Sequence, residues 1–381
     1  MSDIDGIFAV PSYSHQRPPS VPAFQPWHRP RKQYVRSQQW LSEYQWLGDQ
    51  RPEGATLRYL GLPGADMLDL RYLTAHPDAR RSNQFLWFLG FDRSAKPGTR
   101  DNARLNISER ELRDLPMVDG RSKVLSDDFK LLADTDSVAW QAADDFECFD
   151  LINLDLCGSL MHEEPDLTLS NYDAILTLMG LQRFQRRPWS LLLTTRIGHD
   201  KVHPGVRSKL WGLFAENMGD CPPFAQAVEE QFKFAPASEA DLDGCSQRDF
   251  FHVLVTSLSK WLLRYALDMH ARMELTSVAA YQVYGGSTDI DMASLVFRFI
   301  PEVGMPMGDP AALASHVPTA INECELAAPL PSLVADVVDI DALLSADANA
   351  LASFTSSSAD LLELAHYERA DYLTWVASDR A

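Results

Sequence analysis

The chain has 381 residues, 46% of them hydrophobic and 23% charged, a balance that suits one large folded domain with extensions or a pair of domains. Its formal net charge of −19 disfavours broad, nonspecific binding to phosphate backbones and would suit a basic partner. The five cysteines (Cys148, Cys157, Cys221, Cys245 and Cys324) are far apart and form no CxxC pair, which argues against a zinc knuckle or a thioredoxin-like motif and for a reducing compartment. The acidic start MSDIDGIFAV has no long apolar core, so no signal peptide is expected, and the apolar run 250–269 is interrupted by His252, Lys260, Arg264 and Asp268. A cytoplasmic location is the expectation, with no membrane attachment.

In chain order, the first segment is an extended arm rich in proline: Pro11, Pro18, Pro19, Pro22, Pro26 and Pro30. A helix is predicted over 31–47, with Tyr34, Gln38, Leu41, Tyr44 and Leu47 near one face. Arg29, Arg31, Lys32 and Arg36 gather at its start among Trp27, Tyr34 and Trp40, a basic-aromatic patch that either grips nucleic acid or packs on a core.

An alternation of strands and helices follows. Strand 56–60 ends in Gly61-Leu62-Pro63-Gly64 and leads to a short helix over 65–72. The run FLWFLGF over 85–91 is a buried strand that ends in Asp92. Ser108 and Glu111 spell a capping box for a helix over 108–115, stopped by Pro116. A short strand over 123–125 ends in Ser126-Asp127-Asp128, and 129–146 supplies a crossover. Strand 151–156 carries Asn153 and Asp155, helix 172–184 is amphipathic, and SLLLT over 190–194 is a fifth strand. A helix is predicted over 206–218 and a long one over 250–269. Two strands over 274–284 and 294–300 then follow with no helix between them, so they form a terminal antiparallel hairpin joined through Gly285, Gly286, Asp289 and Asp291. From Pro306 the chain is rich in proline, alanine and acids, and a last helix is predicted over 359–376.

This order implies a doubly wound α/β domain with a mainly parallel, seven-stranded sheet and a terminal hairpin. The expected division is an arm and helix over 1–54, the α/β domain over 55–305 and an acidic extension over 306–381. Right-handed crossovers bring the strand C-termini to one edge, where ligands of such folds bind.

The element order resembles that of class I S-adenosylmethionine-dependent methyltransferases over about residues 56–301. The resemblance implies the cofactor S-adenosylmethionine. It sets Gly61 and Gly64 under the methionine part, Asp92 on the ribose hydroxyls, Asp127 or Asp128 near adenine, and Asp155, within Asn153-Leu154-Asp155-Leu156-Cys157-Gly158, beside the transferred methyl. A side-chain-free turn lets backbone approach a ligand closely, a carboxylate accepts from two hydroxyls, and an acid favours a sulfonium cation. Two features depart from the family: the first turn is sparser than GxGxG, and the fourth-strand motif matches neither the Asn/Asp-Pro-Pro-aromatic nor the Pro-Cys set of DNA methyltransferases.

Other residues are expected to overhang the same edge. His162, Glu163 and Glu164 follow the fourth strand, and His199, Asp200 and His203 follow the fifth; these loops offer a general base, His162 foremost, or ordinary surface polarity. Their spacing matches no metal motif. Arg196 offers a cation for a substrate acid or for Asp155. Cys157 is a thiol at that edge, read mainly as a small packed residue. The alternative reading from another class is a catalytically inactive subunit or adaptor, docking through the arm or the acidic tail, such as a component of a bacterial phage-defence system.

Overall fold

The computed structural model describes residues 23–76, 84–93, 96–163, 168–284, 290–302 and 322–378. The early arm prolines up to Pro22, Glu164, the connection 285–289 and the start of the acidic extension lie outside the described residues.

A 3-10 turn, Pro26–His28, opens into a composite helix made of α1 (Pro30–Tyr34), a π-helical segment (Val35–Trp40) and α2 (Leu41–Asp49). The π segment changes which face is buried. A helical wheel of uniform pitch turns Gln38 inward, but the wider turn sets Gln38 outside and buries Gln39 and Trp40. Tyr34 ends half-buried, its ring edge-on to Phe354.

The core units then follow in sequence. They are β1 (Thr56–Gly61), α3 (Leu68–Ala75), β2 (Phe85–Phe91), α4 (Arg100–Arg113), β3 (Lys123–Leu125), α5 (Val138–Asp144), β4 (Leu151–Asp155), α6 (Asn171–Gln182) and β5 (Trp189–Arg196). Next come α7 (Pro204–Asp220), α8 (Pro222–Gln231), α9 (Gln247–Asp268), β6 (Ala271–Tyr281) and β7 (Met292–Pro301). The strands lie in the order β3-β2-β1-β4-β5-β7-β6, all parallel except β7, which runs antiparallel to both neighbours. The expected doubly wound sheet with its terminal hairpin is present. Strand order reverses between β1 and β4, so the chain leaves those two C-terminal ends in opposite directions.

The sheet divides two apolar layers. Leu57 and Tyr59 of β1, Phe88 of β2 and Leu192 of β5 face α2, α3 and α4, whereas Leu60, Leu89, Ile152, Leu154, Leu191 and Leu193 face α5, α6, α7 and α9. Covering both faces explains why the inner strands read as continuous apolar runs rather than alternating ones. Trp189 and Phe299 stack at 4.0 Å across the β5–β7 pair.

Three local expectations are corrected. Helix α4 starts eight residues before Ser108: Thr99 is its N-cap, accepting from the Asn102 N–H at 3.1 Å, while Ser108 sits inside the helix and donates to the Ala65 carbonyl. The capping-box spelling there is a coincidence, and Glu111 instead pairs with Arg71. The last helix is two, α13 (Ala348–Glu363) and α14 (Arg369–Ser378), separated by a turn in which His366 adopts φ +66°. The sheet also has an eighth strand.

That strand comes from the C-terminal extension, which is built into the fold. Following α10 (Glu323–Ala327) and α11 (Leu330–Ala335), β8 (Val338–Asp339) pairs parallel to β6, and α12 (Ile340–Ala346) leads to α13. Residues of α10 and α11 pack into one layer, through Ala327, Leu330 and Val334. Those of α12 to α14 pack into the other, through Ile340, Leu362 and Tyr372.

Cys221 and Cys324 form a disulfide with a Cα–Cα distance of 5.5 Å, which differs from the expectation of unpaired cysteines in a reducing compartment. Their separation of 103 residues hides the pairing from any local motif, and the fold brings them together by laying α10 against α7 and α8. Beside the disulfide, the buried Lys260 ammonium lies 3.4 Å from Glu216 and 3.3 Å from Glu323, joining the same helices. Among the described residues no helix is long and apolar enough to cross a membrane.

Candidate functional site

The reversal point is built from the ends of β1 and β4, the loop into α3, and the start of the composite helix. Gly61 ends β1 at a place that admits no side chain: a Cβ there would stand 2.5 Å from the Tyr59 hydroxyl. The notch above Gly61 is thus occupied by the chain's own phenol. Gly64 sits three residues on, exposed, with φ +63°, a left-handed turn that favours glycine. Two residues later Asp66 pairs with Arg104 and accepts from the Tyr367 hydroxyl at 2.9 Å, so α4 and the C-terminal extension fasten this loop.

Asp155, at the end of β4, is held by Lys32 of α1 at 2.5 Å. The Lys32 side chain is only 3% exposed and its ammonium lies 4.4 Å from the centre of the Trp40 ring. Burial by itself would lower its pKa, but Asp155, then Tyr281 and Asp69, outweigh that and raise it. One turn on, Arg36 donates to Asp69 of α3 at 2.8 Å. Burial pushes the Asp69 carboxyl up, against the pull of Arg36. Behind these pairs lie Tyr59 and Asn153, both 1% exposed; burial drives the Tyr59 phenol well above its ordinary value, and its hydroxyl faces the Asn153 side chain.

The pairs continue as a stripe along the composite helix. Gln39 donates to Ser277 at 2.8 Å and to the Ser294 carbonyl at 3.1 Å. Glu43 is gripped by Arg298 and accepts from Ser190 at 3.0 Å. Lys32, Arg36, Gln39 and Glu43 are spaced four, three and four apart, a helical stripe that is polar and yet faces the sheet. Each charge in it is matched, as burial demands. Val35, Leu41 and Leu47 pack beside the stripe, each buried aliphatic contributing about 1.5–3 kcal/mol.

The structure brings Gly61 and Asp155 together at the reversal. Asp92 lies buried directly after β2, its N–H donating to the Leu125 carbonyl at 3.0 Å. It distinguishes Asp127 from Asp128. Asp128 caps the 3-10 turn Phe129–Ala133, accepting from the Lys130 N–H, and lies 3.4 Å from Arg93, whereas Asp127 stands half-buried in the turn beyond β3.

Most of the loop residues beyond β4 and β5 have structural partners. Glu163 pairs with Lys130 and accepts from the Asn171 N–H; His199 stacks on Phe250 at 4.0 Å; Asp200 pairs with Lys201; His203 caps α7. His162 is exposed in a 3-10 turn seven residues past Asp155. Arg196 lies over the Tyr284 ring at 5.3 Å. Cys157 is exposed rather than packed, yet partial desolvation of its thiol, then the Asp155 carboxylate, raises its pKa, opposite to the shift a nucleophile needs. Among the described residues no group of three histidines, cysteines or acids could hold a metal ion.

The basic patch is internal rather than a solvent-facing stripe. Arg29 covers Trp375 at 4.2 Å, Arg31 pairs with Asp341 at 3.0 Å, and Lys32 and Arg36 are the cations of the two buried pairs. Sequence reasoning missed Lys32, Arg36 and Asp69 as members of the site. The 4-3-4 polar spacing was the available signal, but a polar stripe on a helix ordinarily faces water.

No curated protein matches the chain. A solved structure described as MtNAS in complex with MTA and tNA aligns with 70% of this chain and 61% of that one, at 10% identity and a TM-score of 0.25. This chain therefore spans about three fifths of that protein's length. The family model described as PP_RS20740-like matches residues 22–377, nearly the whole sequence, and the chain belongs to the PP_RS20740-like family.

Proposed function

We propose that this is a methyltransferase-type protein that binds S-adenosylmethionine, or a nucleoside like it, where strand order reverses between β1 and β4. The observation that supports the reading is the strand order itself, with an antiparallel β7 inserted before β6, joined to a glycine turn after β1 and a buried acid after β2. The chain's residues fit such a ligand on the adenosine side. Asp92 would accept from the ribose hydroxyls and Asp127 would face adenine, Asp128 being engaged as a cap. Gly64 keeps a side chain out of the turn on the ligand's side, whereas the space above Gly61 is taken by the Tyr59 phenol.

When bound, the cofactor supplies a methyl group activated by its sulfonium. The chain would contribute positioning and exclusion of water, with the exposed His162 as the group able to take a proton from an acceptor. Asp155 would line the reaction centre from the end of β4.

A second reading, a non-transferring subunit of the same fold, is favoured by the buried Lys32–Asp155 pair and by the fastening of Asp66, since both close the methionine side with the chain's own residues. Calorimetry with S-adenosylmethionine and S-adenosylhomocysteine separates the two. Saturable binding of either, weakened tenfold or more by Asp92→Ala, supports the cofactor reading. Absence of binding at millimolar ligand overturns it and leaves the subunit reading.

A further inference from the structure

Independently of what binds at the reversal, we propose that the outer face of α6 and the turn after it form a docking surface for an acidic, amphipathic segment of a partner protein.

The sequence of α6 supplies the apolar part. Its inner face buries Ala174, Ile175, Leu178, Met179 and Leu181, and its one charged residue, Asp173, is engaged in its own N-terminal capping box. From Ala174 to Gln182 no residue is charged, although a helix face turned to water ordinarily carries charge. Leu176 is 51% exposed on that face, and Phe184, just past the helix end, is 58% exposed. By the helical period Leu176, Gly180 and Arg183 share one side, all three exposed. An exposed apolar face with a charged rim marks an interaction surface.

The rim is cationic. Arg183, Arg186 and Arg187 are exposed, and among the described residues no carboxylate is bonded to any of them. By contrast, Arg207 is paired with Glu239 and Asp243, Arg264 with Glu216 and Arg369 with Asp360. The Arg183 guanidinium lies 4.6 Å from the centre of the Phe184 ring, which joins the rim to the apolar face. The turn itself is held from beneath. Gln185 is buried, donates to the Phe149 carbonyl at 3.3 Å, and accepts from the Arg186 and Arg187 N–H groups at 3.0 and 3.2 Å. The Pro188 carbonyl accepts from Arg51 at 2.7 Å. A backbone already fixed lowers the ordering cost of docking.

These features select the occupant. Carboxylates match the unpaired guanidinium groups, and apolar side chains cover Leu176 and Phe184. An aliphatic face offers nothing to a phosphate backbone, and the net charge of −19 repels a long polyanion beyond the patch. The same excess turns a short acidic segment away from most of the surface and directs it here. Because α6 connects the parallel strands β4 and β5, its C-terminal end leads to the start of β5, at the sheet edge away from the reversal. Exposed ion pairs are individually weak and screened by salt, so the contact is transient and salt-sensitive.

Fluorescence anisotropy on the full chain tests this with a labelled amphipathic peptide that carries leucines on one face and glutamates beside them. Saturable binding at low salt, lost in molar salt, is expected. Arg186→Glu with Arg187→Glu should weaken it tenfold or more, and Leu176→Ser with Phe184→Ser by a similar factor. All four side chains are exposed, so both variants should keep the wild-type melting temperature. Arg110→Glu with Arg113→Glu, on the exposed side of α4 in the other layer, makes the same change in net charge and should leave binding within twofold. Absence of saturable binding by the wild type, unchanged binding in the turn variant or the serine variant, or an equal loss in the α4 variant overturns the proposal. Tighter binding of a single-stranded DNA oligonucleotide than of the peptide overturns it too.

Discussion

Arg298 of β7 grips Glu43 of α2, with its Nη2 2.6 Å from one carboxylate oxygen and its Nε 3.0 Å from the other. The guanidinium also lies 4.1 Å from the centre of the Trp46 ring. This pair anchors the far end of the polar stripe whose near end is Lys32 and Asp155.

Removing one partner of a buried pair leaves the other charge uncompensated. Arg298 is 24% exposed and water can partly take up its charge, so Glu43→Ala is expected to lower unfolding free energy by about 3 kcal/mol, the low end for such pairs. Replacing both partners with apolar groups, Glu43→Leu with Arg298→Met, should recover most of that loss. Urea denaturation of the two variants checks it. A double variant as unstable as the single one shows that the Ser190 hydrogen bond or the packing, not the charge pair, governs the site.

The disulfide joins the start of α8 to α10 and closes a loop with a sequence separation of 103. Loop-closure entropy for about 100 residues corresponds to roughly 4.7 kcal/mol, and losses of about 2–5 kcal/mol are usual when a native bridge is removed. Reduction, or Cys324→Ser, should lower stability in that range and raise hydrogen exchange first in α10 and α11. Peptide mapping without reductant should recover 221 and 324 in one linked fragment. Three free thiols, at Cys148, Cys157 and Cys245, are expected to remain.

His252 of α9 is buried beside Phe232 at 4.9 Å, and burial, then Arg248, lowers its pKa to about 4. The folded state keeps this ring neutral where the unfolded chain takes up a proton. Its contribution is thus fully present above the unfolded value near 6.5 and is lost as pH falls from there toward 4. His28, lowered to about 3 with burial as the first cause, acts in the same direction. His252→Phe should therefore stabilise the protein at pH 5 relative to the wild type, by on the order of 1 kcal/mol once solvent screening is allowed for, and by less at pH 7.5. Thermal melts at the two pH values check this; an equal shift at both points to packing rather than titration.

The strand runs were legible because they are apolar stretches bounded by turn residues, as in FLWFLGF before Asp92. Helix ends were less legible: Ser108 and Glu111 have the right letters for a cap, but Thr99 offers one earlier and the intervening residues sustain the helix. The terminal helices misled because their break at His366 rests on a left-handed backbone that no glycine marks.

Gly61, Asp92 and Asp155 could be placed at strand ends from the sequence because a strand's end is visible in its own residues. Lys32, Arg36 and Asp69 could not be placed in this way, because what makes them members of the site is the partner each meets across the sheet edge. The difference between Asp127 and Asp128 likewise rests on a hydrogen bond, from the Lys130 N–H to Asp128, that only the fold displays.

The sequence by itself determined the alternation of strands and helices, the final hairpin and the acids at strand ends, since local polarity patterns and turn residues encode these. Tertiary structure alone decided that the basic cluster turns inward, that Cys221 meets Cys324, and that the acidic extension completes the sheet. Those features are matches between groups far apart in the chain, and a charge reads as solvent-facing until the fold supplies the opposite charge that makes its burial tolerable.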